Sequence, residues 1–372
     1  MIYPDPRRDR GMDRGRLHAL RSDVARIDAE LVRLIAHRLD RARAIGRVKA
    51  AAGLPIRNRR VERAVVGRWK DGLEAAGVPR ARAEEIARWL LEEAIRAQER
   101  GRAAPKDGRP RRVVVVGGAG RFGRWLAEFL VARGHAVSIL DPARRTLPKG
   151  TRRVRDRRTA LSNAEFVFLA TPIRSTPGIY PTIDRAAPTA IVVDLLSVKA
   201  PVVPMIDRRR RAGRPVASVH PLFSPDPLTL GGLTVLVLDC GDAPSARATA
   251  ALFRPSPLKL VRIPIARHDP LVAELQVLPR LVSLLFSEGH DPRSGGRGVN
   301  PPPSYRRQAA VARRSSAEGA ALWADMLLGN PATPKLLRRL RVSLDRIHRR
   351  IERGDDRALV ARRDRLAERL RG

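Results

Sequence analysis

The residues of this sequence that could do chemistry begin with a histidine at the end of a predicted strand. His220 lies in Val219-His-Pro-Leu-Phe-Ser-Pro225, after a run of apolar residues, and Asp194-Leu-Leu-Ser-Val-Lys199 ends another such run. An imidazole titrates at about pH 6.5, so a histidine at a strand end can accept a proton while hydride leaves the same carbon of a substrate. The structural alternative is a histidine that caps the turn before Pro221.

A glycine-rich turn indicates which kind of cofactor would receive that hydride. Val113–Val116 predicts a buried parallel strand, and it runs directly into Gly118-x-Gly120-x-x-Gly123 and a helical pattern. In this context the glycines permit a tight turn, the close approach of a pyrophosphate, and packing of the helix on the strand. Asp141 ends the next strand and would accept hydrogen bonds from a ribose diol. The residues predicted to bind the dinucleotide are Gly118, Gly120, Arg121, Phe122, Gly123, Asp141, Thr171 and Pro172.

The residue that ends the second strand also indicates which dinucleotide binds. The carboxylate of Asp141 favours NAD, because it would repel the 2′-phosphate of NADP. Arg144 and Arg145 lie close by in the sequence and leave NADP open. The sequence therefore predicts NAD as the cofactor, with NADP as the alternative.

A third group of candidate residues lies on a long amphipathic helix near the N-terminus. Apolar residues recur at three- and four-residue spacing from Leu17 to Leu34. The same face then carries Arg38 and Lys49, and cations on an apolar face need an anion unless their ends reach water. Arg21 points away from that face and could serve the site of a neighbouring subunit. A helix this long cannot bury its apolar face within a small domain, so we expect a partner chain.

The elements that must position these residues fall into three groups, which predict a multidomain fold. Apolar periodicity predicts helices at about 16–51, 60–76 and 79–100. Strand patterns alternate with helices and should form one sheet; they lie at 112–116, 136–140, 165–170, 190–195, 215–219, 233–238 and 258–262. Helices follow at about 268–288, 305–328, 333–353 and 355–371. We therefore expect an all-α three-helix domain, an α/β Rossmann-type dinucleotide-binding domain and an α-helical C-terminal domain.

These patterns also set the predicted domain boundaries. They are a disordered tail at 1–15, the three-helix domain at 16–100, a linker at 101–111, the nucleotide domain at 112–266 and the C-terminal helices at 267–372. A chain of 372 residues that is 43% hydrophobic can hold two or three such domains.

Composition narrows the classes of partner. The formal net charge is +36, but the arginines are spread over helices, loops and both termini without interleaved aromatic residues. We therefore expect no specific nucleic-acid binding, with a polyanion-binding protein as the alternative. Cys240 is the only cysteine, and the seven histidines show no ligand spacing, so no metal site is predicted. No signal peptide or uninterrupted apolar span is visible, and we expect a cytoplasmic protein.

Residues 16–100 resemble the all-α chorismate mutase domain, whose long helices intertwine in a dimer. The resemblance is carried by Leu17-His-Ala-Leu-Arg21, Arg38, Gly46-x-x-Lys49, Pro55-Ile56, Glu62 and Gln98. It implies that Arg38, with Arg21 from the partner chain, binds the substrate's carboxylates. It further implies that Lys49 and Gln98 hold the ether oxygen and that Glu62 contacts the ring hydroxyl.

The whole chain resembles the bifunctional T-protein family, in which chorismate mutase is fused to prephenate dehydrogenase. The mutase segment, the glycine turn, Val193-Asp-Leu-Leu-Ser-Val-Lys199 and His220-Pro-Leu-Phe223 follow in the order of that family. The resemblance implies that His220 is the base, that Ser197 hydrogen-bonds near the prephenate hydroxyl, and that Lys199 is close to the site. It also implies a homodimer with a C-terminal helical dimerisation domain. The substrate-binding residues it implies are Arg314, Arg306 and His268.

The sequence departs from the family pattern in both halves. An acidic residue, an arginine and a serine are expected where Asn58, Val61 and Ala94 stand. A family histidine is replaced by Arg280, after Pro279, and residues 289–303 predict a loop beside the site. We expect a bifunctional enzyme of tyrosine biosynthesis. The alternatives are an arogenate dehydrogenase and a catalytically weakened NAD-binding regulatory homologue.

Overall fold

The computed structural model describes residues 14–101, 109–225, 227, 230–254, 256–289 and 300–371. The chain divides into two compact units, which we name the helical unit and the sheet unit. The helical unit is Met1–Pro105 with Asp226–Leu233 and Pro255–Lys259, and the sheet unit is Lys106–Pro225 with Thr234–Arg254 and Leu260–Gly372. The predicted tail and linker, and the loop predicted at 289–303, lie mostly outside the described residues. The domain boundaries stay predictions.

The helical unit contains the three helices that the sequence predicts. They are α1 (Arg14–Ala51), α2 (Arg59–Ala75) and α3 (Arg80–Gly101). Gly53 adopts a positive φ of 65° just after α1, and the side chain of Asn58 accepts the N–H groups of Arg60 and Val61 at the start of α2. α3 packs against both other helices. A Cβ atom at Gly46 would overlap the backbone of Gln98, 2.7 Å from its Cα, so only glycine lets α1 approach α3 this closely.

The N-terminal half of α1 keeps its apolar face in solvent within the single chain. Leu20, Val24, Ile27, Leu31 and Leu34 are each between 49% and 58% exposed. A helix of 38 residues is about 57 Å long, which exceeds the reach of its two shorter neighbours. The uncovered face is the feature from which the sequence predicts a partner chain.

The sheet unit is built on one eight-stranded sheet. Its strands are β1 (Arg112–Val116), β2 (Ala136–Leu140), β3 (Arg152–Arg153), β4 (Phe166–Leu169), β5 (Ile191–Asp194), β6 (Val216–Pro221), β7 (Thr234–Asp239) and β8 (Lys259–Pro264). The spatial order is β3-β2-β1-β4-β5-β6-β7-β8, with β7 antiparallel to β6. All seven predicted strands are confirmed. The sequence missed β3, because two arginines carry no apolar pattern.

Helices connect the strands and cover the sheet. They are α4 (Arg121–Val131), α5 (Arg157–Ser162), α6 (Thr176–Ala186), α7 (Val203–Arg211) and α8 (Ala243–Leu252). Val113–Val116 and Phe166–Leu169 are fully buried, as central strands of a sheet covered on both faces must be. The parallel strands all end at one edge, where the glycine turn, Thr171, Ser197 and His220 follow.

The C-terminal helices confirm one prediction in outline and correct another. The structure has α9 (His268–Val272), a π-helical turn (Ala273–Val277), α10 (Leu278–Glu288), α11 (Pro303–Ser316), α12 (Ala320–Gly329), α13 (Thr333–Glu352) and α14 (Asp356–Arg371). Residues 268–288 are helical throughout, as predicted, but the helix is not regular: a π-helical turn precedes Pro279, which has no N–H and whose ring excludes a normal α-helical turn before it. The continuous helix predicted at 305–328 is wrong, because Gly319 is extended and starts a new helix.

One described segment, Ile265–Glu288, is long and apolar enough to cross a membrane by length alone, with a mean hydropathy of 1.3. The same test passes core helices of proteins without a membrane. Here the segment begins with His268 and Asp269, both buried and hydrogen-bonded within the sheet unit. Its apolar residues Val272 and Val277 are also fully buried. Only 28% of its most apolar window is buried, however, and Leu275 and Leu285 are exposed.

We expect Gly123→Ala to separate α4 from the glycine turn. A Cβ atom there would overlap the backbone oxygen of Gly117 and lie 2.7 Å from the Gly118 Cα, and overpacking of this kind destabilises by about 1–3 kcal/mol. Denaturant unfolding and dinucleotide titration should show lower stability and weaker binding. Gly178→Ala in α6 is the matched control, since no atom lies within 4 Å of its added Cβ. Equal effects of the two substitutions would contradict the packing argument.

Candidate active sites

A cavity of about 710 Å³ opens at the carboxyl edge of the sheet, and we name it the sheet-edge cavity. It lies wholly within the sheet unit, between the strand ends and the helices α10 and α11. Its polar lining includes Arg121, Thr171, Ser197, His220, Arg280, Arg314 and Glu318. Phe122 and Pro172 also line it. The structure thus brings together residues predicted for cofactor binding, base catalysis and carboxylate binding.

A chain of hydrogen bonds leads from the cavity wall into the core. Nδ1 of His220 lies 2.9 Å from Nε2 of His268, and Nδ1 of His268 lies 2.7 Å from Oδ1 of Asp269. A carboxylate can only accept, so His268 donates from Nδ1 and its Nε2 accepts a proton from Nδ1 of His220. The remaining nitrogen of His220, Nε2, then carries a lone pair. This arrangement would allow His220 to accept a proton from a group bound in the cavity.

Burial and neighbouring charges keep His220 neutral. Burial lowers its pKa well below the usual value, and His268, Lys199 and Arg280 lower it further. Burial also lowers the pKa of His268, although Asp269 opposes that shift. Burial alone would raise the pKa of Asp269, but the hydrogen bond from His268 and the N–H groups of Lys199 and Ala200 lower it. The ionised carboxylate and two neutral imidazoles are therefore the stable protonation state near neutral pH.

Lys199 does not line the cavity. Its ammonium group is 1% exposed and donates to Oδ1 of Asp194 at 2.6 Å and to the backbone oxygen of Val219 at 3.0 Å. Its backbone N–H donates to Asp269 at 2.9 Å. Lys199 therefore joins the ends of β5 and β6 beneath the cavity, where it supports Ser197 and His220.

Two arginines bring positive charge to the cavity from the C-terminal helices. Arg314 lines it and is exposed, as a carboxylate-binding residue at the entrance should be. Arg280, which replaces the family histidine, donates from Nε to Glu318 at 3.0 Å and from Nη1 to the backbone oxygen of Gln276 at 2.7 Å. Arg306 is exposed on α11 and is not among the lining residues. The structure therefore places Arg314, but not Arg306, at the site.

The glycine turn has the shape that a dinucleotide requires. No side chain caps the N-terminus of α4, which begins after Gly120, so its positive end is open to a phosphate. Gly117 adopts a φ of 80°, and a Cβ atom there would lie 2.6 Å from the backbone oxygen of Ala170. The tight turn therefore depends on Gly117, one residue before the predicted triplet. Asp141 accepts the N–H groups of Ala119 at 2.9 Å and Ala143 at 2.8 Å.

Aromatic contacts that the sequence did not reveal hold the histidine loop against this turn. The ring of Phe223 packs 5.0 Å from Trp125 and 6.1 Å from Phe122 between centroids. Such pairs contribute about 0.5–1.5 kcal/mol each beyond the area they bury. They link the segment after His220 to the helix that would carry the cofactor phosphates.

The helical unit gathers a second set of predicted residues, which we name the helical cluster: Arg38, Lys49, Glu62 and Gln98. Lys49 donates to Oε1 of Gln98 at 3.1 Å and to the backbone oxygen of Ile56. Burial lowers the pKa of Lys49, and the nearby Glu62 carboxylate opposes that shift. Arg38 donates to the backbone oxygen of Leu90 at 2.7 Å, and burial lowers its pKa. Both cations are half-buried beside neutral acceptors, so an anionic ligand would be attracted to them.

Two further arginines of the helical unit, Arg21 and Arg57, differ in their distance from the helical cluster. Arg21 is exposed and lies 17 residues before Arg38, or about 25 Å along α1, so it does not reach the helical cluster of its own chain. Arg57, which sequence reasoning passed over, donates to both carboxylate oxygens of Glu62, at 3.1 and 2.7 Å. No local pattern indicates this pair, because the two residues belong to different segments.

Comparison with known proteins follows the same division. Residues 20–99 match the family model of chorismate mutase type II, and residues 112–198 match that of the NADP oxidoreductase, coenzyme F420-dependent. A 4-amino-4-deoxyprephenate dehydrogenase of Streptomyces pristinaespiralis is 31% identical over 265 residues, which cover 67% of this chain and 88% of that protein. The T-protein of Enterobacter agglomerans is 26% identical over 360 residues, 95% of this chain and 92% of that protein.

The chain belongs to the family of T-proteins and prephenate-type dehydrogenases. Solved structures agree in fold: the prephenate dehydrogenase from A. aeolicus, in complex with hydroxyphenyl propionate and NAD⁺, has a TM-score of 0.56 at 17% identity, covering 69% of this chain and 96% of that one. Synechocystis arogenate dehydrogenase has a TM-score of 0.53 at 21% identity, covering 69% of this chain and 96% of that one.

We expect Arg280→Gln to move the acid limb of the dehydrogenase pH profile upward. Arg280 is one of the cations that lower the pKa of His220, so its removal lets that pKa rise, and His220 becomes protonated at a higher pH. Because burial is the larger cause, the shift should be about one pH unit or less. The measurement is kcat/KM for hydride transfer against pH. Arg313→Gln, an exposed arginine on α11, is the control and should leave the limb in place.

Proposed function

We propose that the protein is a bifunctional enzyme of tyrosine biosynthesis. It rearranges chorismate to prephenate in the helical unit and oxidatively decarboxylates prephenate to 4-hydroxyphenylpyruvate at the sheet-edge cavity. The observation that carries the proposal is the hydrogen-bonded chain of His220, His268 and Asp269 at a cavity that also holds Arg314. The T-protein of Enterobacter agglomerans, matched over 95% of this chain, supports the combination of two activities.

The first reaction needs charge and shape rather than a base, because the rearrangement is pericyclic. Arg38 binds a substrate carboxylate, while Lys49 and Gln98 face the ether oxygen on which negative charge develops. Lys49 is already held by Gln98 and Ile56, so little reorganisation is needed when the transition state forms. Binding in the reactive chair conformation removes much of the entropic barrier.

The second reaction uses the lone pair on Nε2 of His220. His220 accepts the proton of the prephenate 4-hydroxyl, and the positive charge is stabilised through His268 by the buried Asp269 carboxylate. Arg314 binds a carboxylate of the substrate with its planar guanidinium. NAD, held by the glycine turn and Asp141, would supply the acceptor for the hydride that leaves the carbon carrying the hydroxyl. Carbon dioxide leaves, and the ring becomes aromatic, which drives the step forward.

The residues at the glycine turn fit NAD. Asp141 lies at the end of β2 beside the turn and presents a carboxylate where a 2′-phosphate would sit. Arg144 and Arg145 are exposed in the following loop and keep NADP as the alternative. A fluorescence titration with both dinucleotides distinguishes them, and tighter binding of NADP would overturn the assignment.

The protein acts as a cytoplasmic homodimer in this proposal. The uncovered apolar face of α1 supports a second copy, and so does Arg21, which is exposed far from the helical cluster of its own chain. In the dimer Arg21 of the partner chain would bind the second carboxylate of chorismate. The net charge of +36 supports weak, salt-dependent association with polyanions but no specific nucleic-acid function.

A different substrate is the main alternative. The relative at 31% identity is a 4-amino-4-deoxyprephenate dehydrogenase, and a structural neighbour is an arogenate dehydrogenase. Comparison of kcat/KM for prephenate, arogenate and 4-amino-4-deoxyprephenate identifies the substrate, and a preference for either amine would replace prephenate in the proposal.

The proposed function predicts NADH production from chorismate alone, because the first product is the second substrate. Lys49→Ala should abolish this signal from chorismate but not from prephenate, and His220→Asn should reduce both by about 10²–10⁴-fold. NADH absorbance with each substrate is the measurement. If His220→Asn matched the wild type, the histidine would not be the base. If the wild type bound NAD without producing NADH, a regulatory homologue would be indicated.

A further inference from the structure

Arg57 forms a two-point ion pair with Glu62, which is a member of the helical cluster. Nε of Arg57 donates to Oε1 of Glu62 at 3.1 Å, and Nη2 donates to Oε2 at 2.7 Å. The side chain of Glu62 is 14% exposed and that of Arg57 is 48% exposed. A guanidinium that meets both oxygens of a carboxylate fixes its rotation as well as its charge.

The segment that carries Arg57 is itself held in place. Ile56 is 4% exposed, and its backbone oxygen accepts the Lys49 ammonium. Asn58 caps α2 with its side chain, and its backbone N–H also faces the Glu62 carboxylate. On the other side, a Cβ atom at Gly232 would lie 3.2 Å from Nη1 of Arg57, so a segment distant in sequence limits the guanidinium within the helical unit.

We propose that Arg57 is a positioning residue for the mutase reaction, which holds Glu62 ionised and oriented so that its free lone pair accepts the ring hydroxyl of the substrate. The inference rests on the proposed function. It assigns a role to an arginine in the loop before α2, whereas the family pattern has an arginine at the position of Val61. A carboxylate has about four acceptor positions; Arg57 occupies two of them and the backbone N–H of Asn58 a third, so one remains for the ring hydroxyl.

The charges around Glu62 agree with this role. Hydrogen bonding by Arg57 lowers the pKa of Glu62, burial opposes the shift, and Lys49 on α1 adds to the lowering. Arg57 in turn faces Glu92 and Glu99 on α3. Arg57, Glu62 and Glu92 line a groove of about 420 Å³ in the helical unit. The other charged groups in its lining are Arg59, Arg63, Lys70, Arg80 and Arg88. Arg57 is the only one of the groove arginines for which the described residues show a hydrogen bond to Glu62.

The test compares Arg57→Gln, Arg57→Lys and Arg68→Gln in the full chain. Arg68 is exposed on the same helix as Glu62 and is outside the groove lining, so it controls for the loss of one positive charge. We expect Arg57→Gln to lower mutase kcat/KM by about tenfold or more and to move the acid limb of the mutase pH profile upward. Arg57→Lys should restore part of both, because it keeps the charge but not the two-point contact. Arg68→Gln should change neither.

Two further readouts make the result decisive. Dehydrogenase activity on prephenate should be unchanged in all three variants, which shows that the chain is folded. A carbon-13 titration of the Glu62 carboxyl, assigned with Glu62→Gln, should give a higher pKa in Arg57→Gln than in the wild type. Wild-type values of both the Glu62 pKa and the mutase pH profile in Arg57→Gln would overturn the inference. Absence of mutase activity in the wild type would instead refute the mutase part of the proposed function. The titration would still test whether Arg57 keeps Glu62 ionised.

Discussion

The hydrogen bonds that end on the buried carboxylate of Asp269 decide where the protons lie in the sheet-edge cavity. Asp269 accepts from His268 and from the backbone N–H groups of Lys199 and Ala200, each within 3 Å. With three donors and no proton of its own, it can only receive, and each imidazole must therefore donate toward it. The lone pair that results lies on Nε2 of His220, so a carboxylate two hydrogen bonds away determines which atom accepts the substrate's proton in the proposed function. The amide of Asn330 holds the backbone of Asp269 from a third segment at 2.9 Å.

A buried ion pair supports that chain from below. Lys199 and Asp194 are each about 1% exposed, and Lys199 also reaches the backbone oxygen of Val219, next to His220. Removal of one partner from such a pair typically destabilises by about 3–5 kcal/mol, because the other charge is left buried and alone. The pair therefore fixes the spacing of the β5 and β6 ends, on which Ser197 and His220 depend. The sequence suggests that Lys199 takes part in the chemistry, but in the structure Lys199 holds the strand ends that position Ser197 and His220.

The features that could be predicted from the sequence are those that depend on residues close together in the chain. Strand periodicity, the glycine turn and the strand-end position of His220 depend on neighbouring residues, and the structure has the predicted elements. Side-chain contacts that no periodic pattern indicates were missed: the packing of Phe223 on Trp125 joins distant segments, and the pairing of Arg57 with Glu62 joins a loop to the helix that follows it. The break at Gly319 was also missed, because apolar periodicity continues across it. In a chain with 74 lysines and arginines, spacing alone cannot tell which cation meets which anion.

The hydrogen-bond partner of each cation indicates whether the cation can attract a ligand or instead stabilises the fold. Lys199 meets a carboxylate in the core, and Arg280 meets Glu318, so their charges are largely neutralised before any ligand arrives. Arg38 and Lys49 instead donate to backbone oxygens and an amide, which orient them without cancelling their charge. The Glu62 carboxylate compensates Lys49 in part, and in the proposed function a dianionic substrate would bring further negative charge to both cations. The helical cluster would therefore attract an anionic ligand, because burial of its cations without a nearby anion costs free energy.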